Sequence, residues 1–433
     1  MKINVVKGTR DLGPKETARF QEIIDKLDSI SYFYCFTEVT LPIIEHAQLY
    51  KRSVGETSDI VRKEMYAFED KGKRLLVLRP EFTASIVRTF VNNKIHALID
   101  LPFKVHYHGP IFRYERPQAG RYRQFYQYGV ESIGVNSPLI DAEVITYGYA
   151  ALSFIGIENV ILKINTLGDD DSRNKYREII SEYFQKHIHK MCHDCNERLQ
   201  TNPLRILDCK IPSDQEIIKK APKIHDYLSL ASRERFNEVT KLLDQSDIPF
   251  EIDQTLVRGL DYYSEIVFEY HYYSDEGKTL GALGAGGHYS HLVKELGGPD
   301  LPGVGLSFGV DRLVEVLKEI EEDDNEEDYN SFVLFYLIPV GDVKIEDVYD
   351  VLMELRKQGG YSYDMYHEKK PLKTLIQKAK KRDARFLIFI GEDELKNNTL
   401  TIKNMKTEEQ MVVNRQDAKQ VIRSLFFSSM REG

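Results

Sequence analysis

GPIFRYERPQAGRYRQFYQYGVESIG, residues Gly109 to Gly134, holds two runs of aromatic and β-branched residues around a loop carrying Arg113, Glu115, Arg116, Arg121 and Arg123. This pattern predicts an antiparallel hairpin with a cationic tip. A guanidinium holds phosphate through two parallel hydrogen bonds, so one arginine on the strand and others on the loop are suited to placing a polyphosphate. Along the second strand Gln127, Gly129 and Glu131 fall two apart and share a face, which presents an amide and a carboxylate to one surface. A solvated hairpin with alternating charges is the reading that needs no ligand.

Two later segments raise the same question. In LVRGLDYYSEIVFEY (256–270), read as part of a long strand, Arg258 and Asp261 interrupt an aromatic run. A buried guanidinium requires a carboxylate or an anionic ligand, and the ligand-free alternative is pairing of Arg258 with Asp261. In GVGLSFGVDRLVEVL (303–317) a glycine-punctuated strand enters a helix with Arg312 in its first turns. A cation there opposes the helix dipole, so a phosphate suits both, whereas pairing with Asp311 or Glu315 is the ordinary alternative.

The 433 residues exceed one ordinary core and suggest about three structural units. With 42% hydrophobic and 29% charged residues, no membrane-length apolar run and no signal-peptide pattern after MKINVVKGTRD, the chain reads as soluble and cytoplasmic, with no membrane partner. A net charge of -9 excludes nucleic-acid binding by bulk basicity. From Ser331 onward, however, 18 Lys and Arg stand against 15 Asp and Glu, so the tail is electrostatically distinct. The acidic run EIEEDDNEEDYN (319–330) reads as a solvated linker before it.

Beyond that run, strands in SFVLFYLIPV (331–340) and ARFLIFIGEDE (384–394) alternate with helices in VKIEDVYDVLMELRKQG (343–359) and the basic PLKTLIQKAKKRD (371–383), predicting an α/β domain. Ahead of it, TARFQEIIDKLDSISYFY (17–34) predicts an amphipathic helix, FTEVTLPII (36–44) a strand, and about 174–253 an inserted helical module.

In their order along nearly the whole chain, KGTRDL (7–12), FTEVTLPIIE (36–45), LRPEFTA (78–84), FRYERPQAGRYRQFYQYGVE (112–131), LVRGLDYY (256–263), GAGGHYSHL (284–292) and GLSFGVDRL (305–313) resemble the motifs of class II aminoacyl-tRNA synthetases, and specifically of the histidyl-tRNA synthetase family. The resemblance implies an α/β (α+β) fold. Residues 1–325 would form a class II antiparallel-sheet catalytic domain with the helical insertion, and 326–433 a C-terminal α/β anticodon-binding domain. It implies activation of L-histidine by ATP to histidyl-adenylate, with Mg2+ on the ATP phosphates, and transfer to the 3′ end of histidine tRNA by a homodimer whose two-fold interface includes Pro42. By the same resemblance Arg113 contacts the α-phosphate and the substrate carboxylate, Arg258 stabilises charge from the opposite side, and Arg312 holds the γ-phosphate. Glu115 and Arg121 help hold ATP, while Glu81, Thr83 and Gln127 take the α-amino group. Glu131, Tyr262, Tyr263 and Tyr289 surround the imidazole, where a carboxylate and phenols satisfy both ring nitrogens.

Departures from the family pattern are Phe82 in place of a small residue, and His288, Ser290 and His291 around Tyr289; the two histidines read as structural. The synthetase-like regulatory subunit of ATP phosphoribosyltransferase shares the catalytic fold, as would an RNA-binding stress sensor. The tail and the three arginines favour the ligase over both. In KHIHKMCHDCNERLQTNPLRILDCK (186–210), Cys192, Cys195 and Cys209 with His187, His189 or His193 could complete a tetrahedral zinc site, and the first pair has zinc-ligand spacing, but Cys209 lacks a second cysteine; a reduced cluster without metal is expected. GALGAGGHYSHLVKELGG (281–298) lacks a P-loop lysine, so its glycines are read as allowing close approach of backbone to bound histidine.

Overall fold

The computed structural model describes residues 3–55, 58–116, 121–274, 277, 281–321 and 333–431. The chain divides into two compact units, Met1–Leu12 with Thr17–Asn325, and Gly13–Glu16 with Glu326–Gly433. Phe20, Ile23, Ile24, Leu27 and Ile30 recur at helical spacing and form the buried stripe of α1 (Pro14–Phe33). Next come β1 (Thr37–Glu38), β2 (Ile44–His46), α2 (Ala47–Ser53), β3 (Ala67–Glu69), β4 (Leu75–Leu78) and α3 (Thr83–Asn92). The hairpin is β5 (Phe103–Phe112) and β6 (Gln124–Ile133), antiparallel from Phe103 opposite Ile133 to Phe112 opposite Gln124. After it follow α4 (Pro138–Phe154), β7 (Val160–Thr166), α5 (Asp170–His187), α6 (His193–Thr201), α7 (Pro212–Ile218), α8 (Leu230–Gln245) and β8 (Phe250–Ile252). The unit closes with β9 (Ser264–Tyr272), β10 (Ala282–Tyr289), α9 (Leu292–Glu295), β11 (Gly303–Gly309) and α10 (Val310–Ile320).

Among the described residues eight of these strands make a sheet in the order β1-β5-β6-β11-β10-β9-β7-β8, mostly antiparallel, and the other three a small sheet in the order β2-β4-β3. One face, bearing Tyr128, Val130, Leu306, Phe308, Phe268 and Tyr270, packs into a core with α1, α4, α8 and α10. Strand alternation therefore turns Tyr107, Gln127, Glu131, Ser307 and Glu269 to the other face.

Two expected strands are shorter than their composition suggests. FTEVTLPII pairs only at Thr37–Glu38 and from Ile44, because Pro42 has no N–H to give a ladder and the carbonyls of Leu41 and Pro42 accept instead from Arg79 Nη1 (2.9 and 3.4 Å). The run from Gln254 is not a strand until Ser264. Asp253 folds back to bond the amide and hydroxyl of Thr255, and Asp253 O accepts from Leu256 N–H, so LVRGLDYY is a loop.

The region expected as an insertion, about 174–253, contains two kinds of packing. Tyr176, Ile180, Phe184, Leu204, Ile206 and Ile218 join a separate small core. By contrast Phe236, Val239 and Leu243 of α8 belong to the main core. The small core's entry and exit are clasped: Asp169 caps α5 through Ser172 N–H (2.9 Å), Ser229 caps α8, and Ser229 Oγ donates to Asp169 Oδ2 (2.6 Å). β7 and β8, on either side of the clasp, lie parallel at the sheet edge.

Glu319 and Ile320 end α10, whereas residues 322–330 of the expected linker lie outside the described residues. The second unit pairs β12 (Phe335–Pro339) in parallel with both β13 (Tyr363–Met365) and β14 (Phe386–Ile390), and adds β15 (Thr399–Asn404) and β16 (Gln410–Asn414) in antiparallel fashion. Its helices are α11 (Ile345–Lys357), α12 (Leu372–Lys381), α13 (Glu392–Asn397) and α14 (Ala418–Arg431). The basic helix predicted from Pro371 is α12; it buries Leu375 and Ala379. Among the described residues no helix is long and apolar enough to cross a membrane.

Gly286 sits where β10 passes β11: a Cβ there would collide with Gly305 O and lie 2.6 Å from Phe268 Cζ. Neither backbone nor a packed ring can yield cheaply. Gly286→Ala is expected to destabilise the first unit by roughly 2–3 kcal/mol, read from urea unfolding.

Candidate active site

On the open face of the sheet Glu131 is fully buried, and its carboxylate accepts from Thr83 Oγ1 at 2.5 Å and from the Tyr289 hydroxyl at 2.9 Å. Cross-strand pairing puts Gly305 directly beside it, where a Cβ would run into the Glu131 carboxylate. Gly287 is likewise kept bare by the Tyr263 ring, whose Cδ1 would lie 2.8 Å from a Cβ. At these two positions the missing side chain makes room for the protein's own Glu131 and Tyr263. Tyr262, Tyr263 and Tyr289 form a continuous wall, with Tyr262 4.6 Å from Tyr263 and 5.9 Å from Tyr289 between ring centroids.

Glu81, just before α3, is buried in the same pocket and accepts from the Ala84 N–H at 3.1 Å. Burial drives the Glu81 carboxyl up to about 7, against the N–H bonds that favour its ionised form. Glu131 is driven up to about 8, again by burial, with the hydroxyls of Thr83 and Tyr289 opposing and Glu81 adding repulsion. Gln127 Nε2 donates to Ser307 Oγ at 3.3 Å on the adjoining strand. Phe82 is buried between the Arg79 guanidinium (4.0 Å) and the Tyr107 ring (4.4 Å).

Arg113 adjoins this pocket. Its Nε donates to Pro80 O at 2.9 Å, and its charge reaches Glu81 on one side and Glu64 on the other. Beyond it, Arg121 Nη1 lies 3.8 Å from Glu115 Oε2. Arg312 donates to Ala282 O; burial, then the charge of Arg121, lowers its proton affinity, while Glu115, Glu315 and Glu269 oppose. Of the two carboxylates expected as ordinary partners of Arg312, Asp311 is occupied, accepting from Arg10 Nη2 (2.9 Å) and from Tyr126 N–H (2.7 Å), while Glu315 lies within electrostatic reach of Arg312.

Arg258 does not pair with Asp261, because the loop turns their side chains apart. Arg258 Nη1 meets Glu269 Oε1, whereas Asp261 Oδ1 accepts from Asn202 Nδ2 at 2.8 Å. Burial alone would raise the Glu269 carboxyl, but the His271 hydrogen bond and the Arg258 charge hold it at about 2. Arg258 Nε is buried without an acceptor among the described residues, and the guanidinium carbon lies 5.8 Å from the Tyr263 ring centre. An acidic aromatic pocket and a group of arginines thus meet through Arg113 and Tyr263.

His288 and His291 each pair with a carboxylate. His288 is on the helix-covered face, 2.9 Å from Asp141, which also holds Arg235 at 2.6 Å; His291 pairs with Asp170 at 2.8 Å and Ser290 with Ser264 at 2.8 Å. Sequence reading missed Tyr107, whose hydroxyl fills the space above Gly129, and Glu269, the counter-ion of Arg258. The signal for Tyr107 was available: it pairs with Gly129, in line with Gln127 and Glu131. Cys192, Cys195 and Cys209 come together, joined by Asp214.

A family model described as Histidyl-tRNA synthetase matches residues 8–313, and one described as Anticodon binding domain matches residues 335–425. The chain is 42% identical to the histidine–tRNA ligase of Bacillus subtilis (strain 168) over 413 residues, covering 95% of this chain and 96% of that protein. It is 42% identical to that of Geobacillus thermodenitrificans (strain NG80-2), over 95% of each. Among solved structures, apo S. aureus histidyl-tRNA synthetase superposes with a TM-score of 0.79 at 33% identity, covering 97% of this chain and 99% of that one.

Glu81 and Glu131 give the pocket a pH signature. Their values lie above the ~4.3 of a free glutamate, so across that interval the folded chain holds protons the unfolded chain has released. The stability these groups confer is therefore present at low pH and lost as pH rises towards about 8. Thermal scans at about pH 5.5 and about pH 8 are expected to show Glu131→Gln gaining on the parent at the higher pH. A difference that stays flat between the two counts against a neutral Glu131.

Proposed function

The chain belongs to the histidyl-tRNA synthetase family, and on that premise we propose how its residues divide the work of a histidine–tRNA ligase. The enzyme joins L-histidine to ATP and transfers the activated amino acid to histidine tRNA. The observation that carries the assignment of roles is the buried Glu131 carboxylate, braced by Thr83 and Tyr289 and walled by tyrosines. Such a group accepts from an imidazole N–H or stabilises an imidazolium, and an isostere lacking that N–H would leave it unpaired. Glu81, Thr83 and Gln127 receive the α-amino group, whose positive charge favours the ionised form of Glu81.

Arg113, between the two carboxylate-lined regions, orients the histidine carboxylate and the α-phosphate. A carboxylate oxygen attacks the α-phosphorus as the bond to the β-phosphate oxygen breaks, and pyrophosphate leaves. Arg258, with an unused buried donor, faces the charge that develops, while Arg312, Arg121 and Glu115 hold the phosphate chain. No protein nucleophile is required, since positioning and fixed charge suffice for an in-line displacement. Mg2+ supplies charge neutralisation on the phosphates when bound. Glu269 and Glu115, carboxylates within electrostatic reach of Arg312, suit a cation there. In the second step the terminal ribose hydroxyl of the tRNA attacks the histidyl carbonyl and AMP departs.

The second unit reads the anticodon, with the lysines of α12 neutralising backbone phosphate. Pairing of two chains around Pro42 is supported by exposed Ile43 and Ile44 beside it, and the site of action is the cytoplasm. The regulatory-subunit alternative is disfavoured by the matched anticodon-binding segment and by the retention of all three arginines.

ATP–pyrophosphate exchange dependent on L-histidine tests this division directly. Arg258→Ala is expected to lower exchange by ~10²-fold or more with the fold retained by circular dichroism. Exchange near the parental rate in that variant would remove Arg258 from the chemistry. Light scattering at micromolar concentration is expected to give twice the chain mass, and a monomer would overturn the dimer.

A further inference from the structure

Four ligand-type side chains converge in the small core of the insertion, far along the chain from the catalytic motifs. Cys192 caps α6 and Cys195 lies in its first turn; Cys209 follows the 3-10 turn Pro203–Asp208; Asp214 lies in the first turn of α7. Their Sγ and carboxylate oxygen atoms all lie within 4.8 Å of one another. Cys195, Cys209 and Asp214 are buried and Cys192 is half-buried. We propose that these four residues form a tetrahedral zinc site that staples the insertion together.

The spacings match the metal's geometry. With Zn–S bonds of about 2.3 Å, neighbouring sulfurs of a tetrahedron stand roughly 3.8 Å apart. The separation of Cys192 Sγ from Cys209 Sγ is 3.9 Å. An edge from sulfur to a carboxylate ligand is roughly 3.5 Å by the same bond lengths; Cys209 Sγ lies 3.3 Å from Asp214 Oδ2. The fourth partner is therefore an oxygen ligand five residues after Cys209, in place of a histidine. The fully buried Asp214 carboxylate is held by the Cys192 N–H (3.0 Å), the Ser213 hydroxyl (3.3 Å) and the weakly donating thiols of the three cysteines, which a metal would convert into fellow ligands. Three thiolates with one oxygen select zinc over the oxygen-seeking cations, and binding would release up to three thiol protons.

The fold also has a use for a staple. α6 and α7 are nine and seven residues long, too short to persist alone. From the segment just after α6, Asn202 donates to Asp261 in the LVRGLDYY loop, and Arg205 pairs with Asp59 at 2.9 Å. Fixing α6 thereby fixes the outer support of the loop that carries Arg258.

Elemental analysis of the full-length chain, purified under reducing conditions without chelator, is expected to find one zinc per chain. Exchange into Co2+ should give tetrahedral d–d bands and a thiolate charge-transfer band. Asp214→Cys should keep one metal and raise that charge-transfer intensity by about a third, from three thiolates to four. Cys209→Ser should lose the metal, whereas Cys35→Ser, at an exposed cysteine outside the cluster, should keep it. Should Cys209→Ser not fold, cobalt binding by the parent and by Asp214→Cys decides the matter. Metal-free parent protein that takes up no cobalt, a cobalt spectrum without thiolate charge transfer, or a Cys192–Cys209 disulfide in the intact mass would each overturn the proposal.

Discussion

Burial of the Glu131 carboxylate in the middle of a β-sheet is the constraint from which the catalytic unit is built. A carboxylate at such a depth needs donors, and Thr83 and Tyr289 supply them from two different elements. It also needs room, which Gly305 provides by having no side chain. Tyr289 in turn requires Gly303 to be bare, and Tyr263 requires Gly287. The glycine content of β10 and β11, which weakens strands considered alone, is thus a condition for an acidic, aromatic hollow on a sheet whose other face is densely covered.

The arginines solve a different problem. Arg258 is tethered to Glu269, itself bonded to His271, and Arg312 to a backbone carbonyl. Arg258 is held in place while its buried Nε keeps donor capacity for an incoming anion. Preorganised charge of this kind needs little rearrangement when negative charge accumulates on a phosphate. The acidic hollow and the cationic group share Arg113, whose charge acts on both Glu81 and Glu64.

Much of this was legible in the sequence because it depends on short-range periodicity. The stripe of α1, the β5–β6 hairpin, the glycine strand leading into α10 and the alternation in the tail follow from spacing alone. The shared face of Gln127, Gly129 and Glu131 follows from the two-residue period. What escaped depends on partners distant in sequence. LVRGLDYY has strand-forming residues but is a loop, because Asp253 turns the chain before it. The counter-ion of Arg258 is not the nearest carboxylate, Asp261, but Glu269 eleven residues on, and Asp214 joins the cysteines without any cysteine-like spacing to announce it. Nor were the partners of His288 on α4 and α8 foreseeable.

The clasp between Asp169 and Ser229 has a topological consequence. Two helix caps that bond each other close the neck of a long excursion at a single point, with β7 and β8 side by side near it at the sheet edge. Everything from Asp170 to Leu228 is therefore a loop with fixed ends, and the entropy of closing it grows only slowly with its length. Residues can be added to or taken from this excursion without shifting the register of any strand that holds Glu131, Gln127 or Glu269. The scaffold thereby separates the strand register around Glu131 from the length of the excursion, which stays tied to the site through Arg173 and Asn202, braced on the LVRGLDYY loop, and Arg205, paired with Asp59.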